Sequence, residues 1–187
     1  MPASSAPTEK SKMLAGELYR ANDPELTVDR KRAKALCFRY NQDVVDLDRG
    51  LLSELFGQPT DAYLEPPFWC DYGYNLRLGR NVYANHNFVV LDCALVTIGD
   101  DTFIGPNVVL STAGHPIDAA ERVSGVEFAK PITIGRRVWL GAGVMVIPGV
   151  EIGDDVVIGA GSVVTRSIPS GCVAVGNPCR VVRRLGE

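Results

Sequence analysis

What this chain lacks narrows its chemistry before any motif is read. It has two histidines in 187 residues and no C-x-x-C pair among its five cysteines. Neither a zinc site nor a disulfide framework is therefore indicated. Cys37, Cys70, Cys93, Cys172 and Cys179 are odd in number and widely scattered, and read as reduced, packed thiols of a cytoplasmic protein. No apolar run approaches membrane length, and the opening P-A-S-S-A-P-T-E-K lacks a signal-peptide apolar stretch, so residues 1–12 read as a disordered tail. Charge is nearly balanced, with 19 basic against 22 acidic side chains, which gives no reason to expect nucleic acid as a partner. The length fits one domain, or one domain with a small cap, and needs no staples.

What is present is a ladder. Ile134, Leu140, Val146, Ile152, Ile158 and Val164 recur six apart; Ile98, Ile104 and Leu110 share the spacing, and Tyr72, Leu78, Ala84 and Val90 follow it more loosely. A period of six fits neither a helix nor a meander and marks an internal repeat. Val138, Val144, Val150, Val156 and Ser162 stand two residues before the rungs, on the same strand face. Each repeat is then a very short strand with two inward side chains and a corner. Glycine follows many rungs, as at Gly79, Gly99, Gly135 and Gly153, and is expected to supply the corner's backbone angles. Three such strands close a triangular coil of eighteen residues, and stacked coils bury one another's interiors. At roughly 1.5–3 kcal/mol per buried aliphatic side chain, such a stack makes a sufficient core. The expected fold is all-β, a parallel β-helix over residues 66–179 within a domain of residues 63–187. Its handedness does not follow from the periodicity. Residues 13–62 read as a helical cap, with helices near 13–22, 28–40 and 46–56 that shield the first coil's open edge. The run Arg30-Lys31-Arg32-Lys34 reads as a solvated face, and residues 180–185 as a short closing helix.

The ladder breaks once, between Leu110 and Ile132, and rejoins in phase. Residues 111–131 are thus a loop thrown out of the coil, the kind of place where function concentrates. It carries His115, extended by Pro116 and preceded by the flexible Gly114. A neutral imidazole is the usual general base near pH 7. The plain alternative is a solvated surface histidine; the setting in the extruded loop favours function. His86 falls at an outward, peripheral position. Trp139, between inward Val138 and Leu140, must point away from the interior, either under the loop or another subunit, or along a ligand groove. Gly141-Ala142-Gly143 leaves backbone amides uncovered, which suits an oxyanion. Arg180, Arg183 and Arg184, with Thr165-Arg166, form either a solvated basic end or a phosphate patch.

Several motifs in order carry a family resemblance: L-A-G-E-L-Y-R-A, F-W-C-D-Y-G-Y, T-A-G-H-P-I-D, E-R-V-S-G-V-E-F-A-K-P-I-T-I-G, V-W-L-G-A-G-V-M-V-I-P-G-V-E-I-G-D and V-G-N-P-C-R-V. Over about residues 10–185 the chain resembles the hexapeptide-repeat sugar O-acetyltransferases, which include the maltose, galactoside and nodulation acetyltransferases, and resembles the maltose branch most. The resemblance implies a left-handed β-helix, a homotrimer, and acetyl-CoA held between adjacent subunits, with no metal. It makes His115 the catalytic base for a sugar hydroxyl and gives Asn85 the positioning of the reacting groups. Tyr83, Asp71, Asp92 and Glu127 fall on the acceptor side, and Glu17 matches a sugar contact reached across a subunit interface. Trp139, Ala142, Ala160, Thr165, Arg166, Arg180 and Arg183 match positions along acetyl-CoA. Cys93 replaces a second acidic residue of the galactoside type, and Glu127 replaces its methionine; both speak against transferring galactoside specificity. Glu127 is also placed to orient His115. Three rivals are a γ-class carbonic anhydrase, for which a third histidine is missing, a non-catalytic scaffold, and the same chemistry on a non-sugar acceptor.

Overall fold

A computed structural model describes residues 6–42, 44, 45 and 47–186. Helix α1 (Glu9–Ala15) begins where Thr8 accepts the Ser11 amide, and Glu9 pairs with Lys12 at 2.6 Å. Of the residues expected to form a tail, 1–12, Glu9–Lys12 are instead helical, because Thr8 caps them and Met13 is buried below; residues 1–5 lie outside the described residues. The first helix also stops early, at Gly16 with φ 75°, and Tyr19–Arg20 form strand β1. Helix α2 (Pro24–Tyr40) starts four residues before the expected Val28, capped by Asp23 with proline in its first turn. Helix α3 (Gly50–Phe56) is shorter than the expected 46–56, and Asp46 lies outside the described residues.

The coils follow. The first holds β2 (Tyr63–Leu64), β3 (Phe68–Cys70) and β4 (Leu76–Leu78); the second β5 (Tyr83–Ala84), β6 (Phe88–Leu91) and β7 (Val96–Ile98). The third opens with β8 (Phe103–Ile104) and β9 (Val109–Ser111). The chain then leaves the coil through β10 (Ala113–Gly114), α4 (Ala119–Val123) and β11 (Val126–Ala129), and returns at β12 (Ile132–Ile134). Next come β13 (Trp139–Leu140), β14 (Met145–Val146) and β15 (Glu151–Ile152), then β16 (Val156–Ile158) and β17 (Val163–Val164). Finally β18 (Cys172–Val175) and β19 (Arg180–Arg184) close the stack. The strands pair in parallel into three flat faces, β2-β5-β8-β13-β16-β18, β3-β6-β9-β14-β17 and β4-β7-β12-β15. This is the expected parallel β-helix, and every rung from Ile134 to Val164 is buried.

Four details differ from the sequence expectation. The early coils hold 20 residues per turn, since Tyr63 pairs with Tyr83 and Tyr83 with Phe103. The later ones hold 18, as Trp139 with Val157 and Met145 with Val163. That explains the loose early spacing, and Tyr72, read as a rung, instead packs against Met13, Tyr19 and Leu26 in a second core between cap and coil. Of the glycines that follow a rung position, Gly73 takes the expected left-handed angle (φ 80°), but Gly79, Gly99, Gly135 and Gly153 are there for closeness rather than backbone angle. A Cβ on Gly99 would lie 2.7 Å from the Gly135 carbonyl carbon, and one on Gly135 2.6 Å from that of Gly153. The left-handed residue comes two positions later, at Asn81, Asp101, Arg137 and Asp155. Lastly, the expected C-terminal helix is a strand: β19 turns back through Gly176–Pro178 and pairs antiparallel with β18, an open edge that suits its valines.

The cap finishes the first coil's exposed edge. Asn41 donates its side-chain amide to the Phe68 carbonyl (3.0 Å) and accepts the Phe68 N–H (2.9 Å). The Tyr40 hydroxyl donates to the Leu64 carbonyl, and the Gln58 amide to that of Leu76 at 3.0 Å. One side chain thus reaches each of the three faces, and backbone groups that no strand pairs find partners.

Candidate active site

The outward side chains divide the prism. One face carries a stacked aromatic stripe, Tyr63, Tyr83, Phe103 and Trp139, in register on successive coils. Tyr63 and Tyr83 stack at 6.0 Å with ring planes 17° apart. The second face carries Trp69, Val89, Val109 and Met145. The third carries Arg77, Thr97, Thr133 and Glu151 and is polar.

Trp139 points outward as its position requires and is 56% exposed. With Tyr83, Asn85, Phe103, Pro106 and Ala142 it lines a groove of about 570 Å³. Of the three amides expected to be bare, Gly141 donates to Ile158 and Gly143 to Pro106, each at 2.8 Å, because they lie within the coil-to-coil ladder. Among the described residues, Ala142 alone of the three keeps its amide clear of such a bond. One coil on, Ala160 occupies the same corner, between Gly159 and Gly161, whose amides are likewise spent on Ala174 and Ala142. Thr165 and Arg166 follow β17 on that coil. Arg183 stands exposed on β19, whereas Arg180 donates to the carbonyl of its neighbour Cys179 at 2.7 Å.

A second cavity, of about 300 Å³, lies between cap and coil and is lined by Ala21, Arg30, Lys34, Asp71, Cys93 and Glu127, with Tyr72. Asp71 and Glu127, both given to the acceptor side by the resemblance, line this one cavity. Arg30 and Lys34 line it too; Lys31, Arg32 and Lys34 are exposed, as expected of a solvated face, whereas Arg30 is half-buried. Arg30 turns inward because its guanidinium donates to the Tyr72 hydroxyl (2.7 Å) and the Ala21 carbonyl. Glu127 accepts from the buried Tyr19 hydroxyl at 3.0 Å, and the Cys93 thiol lies 3.7 Å from Asp71 Oδ2. Burial raises the Asp71 carboxyl above its ordinary value and pushes the Cys93 thiol up to about 12. Asp92 does not reach the cavity. Its side chain is fully buried, and its oxygens accept the amides of Asp71 (3.0 Å), Tyr72 (2.8 Å) and Gly73 (2.7 Å), so it shapes the turn that carries Asp71 rather than binding an acceptor. Glu17 is exposed between α1 and β1 and lines neither cavity.

His115 lines neither cavity either. It stands exposed at the end of β10, on the hairpin that β10 and β11 form by antiparallel pairing. The loop expected over residues 111–131 is therefore an ordered arm. Its strand β11 also pairs with β1 of the cap, making a three-stranded sheet β1-β11-β10. Glu127, expected to orient His115, bonds Tyr19 instead. The residues that reasoning from sequence passed over are Tyr19, Arg30, Lys34 and Arg122. Two of them stand in quoted motifs, Tyr19 in L-A-G-E-L-Y-R-A and Arg122 in E-R-V-S-G-V-E-F, which gave neither a role.

Stacked triangular coils, an exposed imidazole on an extruded arm and a polar cavity under a helical cap define a hexapeptide-repeat transferase. Residues 12–60 match the maltose acetyltransferase hexapeptide capping motif, residues 131–166 the bacterial transferase hexapeptide, and residues 95–114 the hexapeptide repeat of succinyl-transferase. The galactoside O-acetyltransferase of Escherichia coli K12 is 44% identical over 92% of this chain and 87% of its own length. The crystal structure of a maltose O-acetyltransferase from Clostridium difficile 630 superposes with TM-score 0.93 at 47% identity, covering 96% of this chain and 98% of that one. A hexapeptide-repeat acetyltransferase from Vibrio cholerae O1 biovar eltor, complexed with acetyl coenzyme A, gives TM-score 0.88 at 36% identity over 96% and 100% of the two chains. The chain belongs to the maltose and galactoside O-acetyltransferase family of hexapeptide-repeat acetyltransferases.

Proposed function

We propose that this acetyltransferase moves the acetyl group of acetyl-CoA to a hydroxyl of a sugar such as maltose or glucose, in a homotrimer whose active sites lie between subunits. The observation that carries the reading is the way the parts are shared out. Asn85, Trp139 and Ala142 line one groove, Asp71 and Glu127 another cavity, and His115 stands on an arm clear of both. A neighbouring copy brings such parts together, and the two apolar faces, beside a polar third, supply surface for two neighbours. The polar cavity, lined by the carboxylates of Asp71 and Glu127, suits an acceptor rich in hydroxyl donors. Five free, buried thiols fit a cytoplasmic setting.

In this mechanism acetyl-CoA lies along the Trp139 groove, its acyl end toward the Ala142 amide, with Ala160, Thr165, Arg166, Arg180 and Arg183 further along the pantetheine and phosphates. His115 takes the proton of the acceptor hydroxyl as that oxygen bonds to the thioester carbonyl carbon. Asn85 and Ala142 steady the reacting groups while the carbonyl oxygen carries negative charge. The C–S bond then breaks, and the imidazolium returns its proton to the departing thiolate. No acyl-enzyme is required. Base catalysis contributes about 10²–10⁴-fold, and alignment of the two substrates much of the rest.

Acetyl transfer by the purified protein against glucose, maltose, galactosides and non-sugar acceptors tests the reading. A sugar is expected to be turned over best; preference for an amine or an antibiotic would move the chemistry to another acceptor. His115→Ala is expected to cut turnover by about 10²–10⁴-fold while acetyl-CoA binding, followed by calorimetry, persists. Undiminished turnover would remove His115 as the base.

A further inference from the structure

The arm that carries His115 is braced on both sides of that residue. On the N-terminal side, Gly114 pairs with Phe128, and its Cα lies against the Phe128 ring so closely that an added Cβ would stand 2.6 Å from Cζ. β11 is in turn fastened to the cap, through Tyr19 to Glu127 (3.0 Å) and through the Arg20 guanidinium to the Ser124 carbonyl (2.8 Å). On the C-terminal side one guanidinium nitrogen of Arg122 donates to two successive carbonyls, Pro116 at 3.1 Å and Ile117 at 2.9 Å. Helix α4 aims Arg122 at them, and Asp118 starts that helix by accepting the Glu121 amide at 2.8 Å. Arg122 is itself exposed, and among the described residues those two carbonyls are its only side-chain hydrogen-bond partners.

We propose that Arg122 is a positioning residue for the base. Its charged clamp fixes the backbone just after His115, while β11, itself held by the cap strand β1, fixes the hairpin leg β10 before it, so the imidazole is delivered at a set reach. The inference rests on reading His115 as the base. Pro116 is buried but has no N–H to donate, and the Ile117 side chain is 95% exposed, so among the described residues Arg122 supplies the side-chain hydrogen bonds that the Pro116 and Ile117 carbonyls accept. Hydrogen bonds from a guanidinium are stronger than neutral ones, so one side chain suffices where two carbonyls must be held. Because Arg122 and Ile117 are exposed, losing the clamp returns the Ile117 carbonyl to water and costs the fold little. It costs the chemistry more, since displacing a reacting group by about 1 Å lowers a rate by as much as 10²-fold.

The test is steady-state kinetics of the full-length protein carrying Arg122→Ala, Arg122→Lys, Tyr19→Phe or His115→Ala, each with its thermal midpoint. Arg122→Ala is expected to lower kcat by about 10–100-fold with KM for acetyl-CoA and the thermal midpoint unchanged. Arg122→Lys, which keeps a cation able to donate to both carbonyls, is expected to recover most of that loss. Tyr19→Phe, which removes one hydroxyl from the cap-side brace, is expected to lower kcat by less and in the same pattern. If His115→Ala is inactive while Arg122→Ala and Tyr19→Phe turn over like the wild type, the brace is overturned and the base stands. If His115→Ala stays active, the reading beneath it falls first. A loss in Arg122→Ala that Arg122→Lys does not relieve, or that comes with a lowered midpoint and a raised KM for acetyl-CoA, also overturns the proposal.

Discussion

Asp92 shows how a single buried charge can serve a site it never touches. Three consecutive amides converge on its carboxylate, which holds the turn at Asp71-Tyr72-Gly73 and presents the Asp71 side chain to the cavity. Burial pushes this carboxyl up to about 7, against the pull of the Tyr72 and Gly73 amides. The sign of the stability effect follows. Between roughly pH 4 and pH 7 the folded chain keeps a proton that the unfolded chain has released, so the folded state is favoured in acid and loses that advantage as pH rises through the window. Each unit between the two values is worth about 1.4 kcal/mol. Urea midpoints measured from pH 4 to pH 8 are expected to show this falling contribution in the wild type. Asp92→Asn is expected to be less stable throughout, because its NH₂ faces an amide donor, and to lack that part of the slope. Equal slopes in the two proteins would mean that Asp92 titrates as an ordinary carboxyl.

Among the elements, the cap and the corners mark where sequence reading stopped. The hexad was legible because each six-residue repeat turns a fixed pair of side chains inward, two positions apart, so burial itself leaves a period in the chain. The two extra residues in each early turn left no such mark, since the segment at Tyr72 packs against the cap rather than into the prism. Glycine at the corners was visible but its reason was not, because a neighbouring coil sets the clash, 18 or 20 residues away or, across the arm, 36. Of the site, His115 and Trp139 could be placed from the chain alone: one breaks the ladder, and the other falls between two inward positions. Arg30 and Lys34 could not, because only the packing of α2 on the coil turns them toward Asp71. Asn41 belongs to the same class of contacts. Its one side chain satisfies both the N–H and the carbonyl of Phe68 at the open edge of β3. Asn41→Ala is expected to lower unfolding free energy by about 1–3 kcal/mol, the cost of leaving buried backbone groups unpaired. Asn41→Asp, which keeps the acceptor and loses the donor, is expected to fall between. Chemical denaturation of the three proteins checks it, and an unaltered midpoint for Asn41→Ala would show that water replaces the side chain without loss.

At the scale of the whole molecule, the three faces of the prism are unequal, and the inequality makes the proposed trimer testable. Helices and the second core cover the end of the stack, but the aromatic stripe through Phe103 and the aliphatic stripe through Met145 remain exposed in a single chain. The face through Thr97 and Thr133 is polar and needs no cover. If each chain seats its two apolar faces against two neighbours, a carboxylate placed in either stripe is buried without a partner and opposes assembly. Met145→Asp is then expected to lower the mass seen by sedimentation from three chains toward one, and to lower turnover in step with it. Raising protein concentration is expected to restore both together, because association follows mass action. Thr97→Asp, on the polar face, is expected to leave mass and turnover as they were. A Met145→Asp chain that sediments as a monomer with full turnover would show that the arm, the groove and the cavity complete a site within one subunit, and the shared active site would have to be given up.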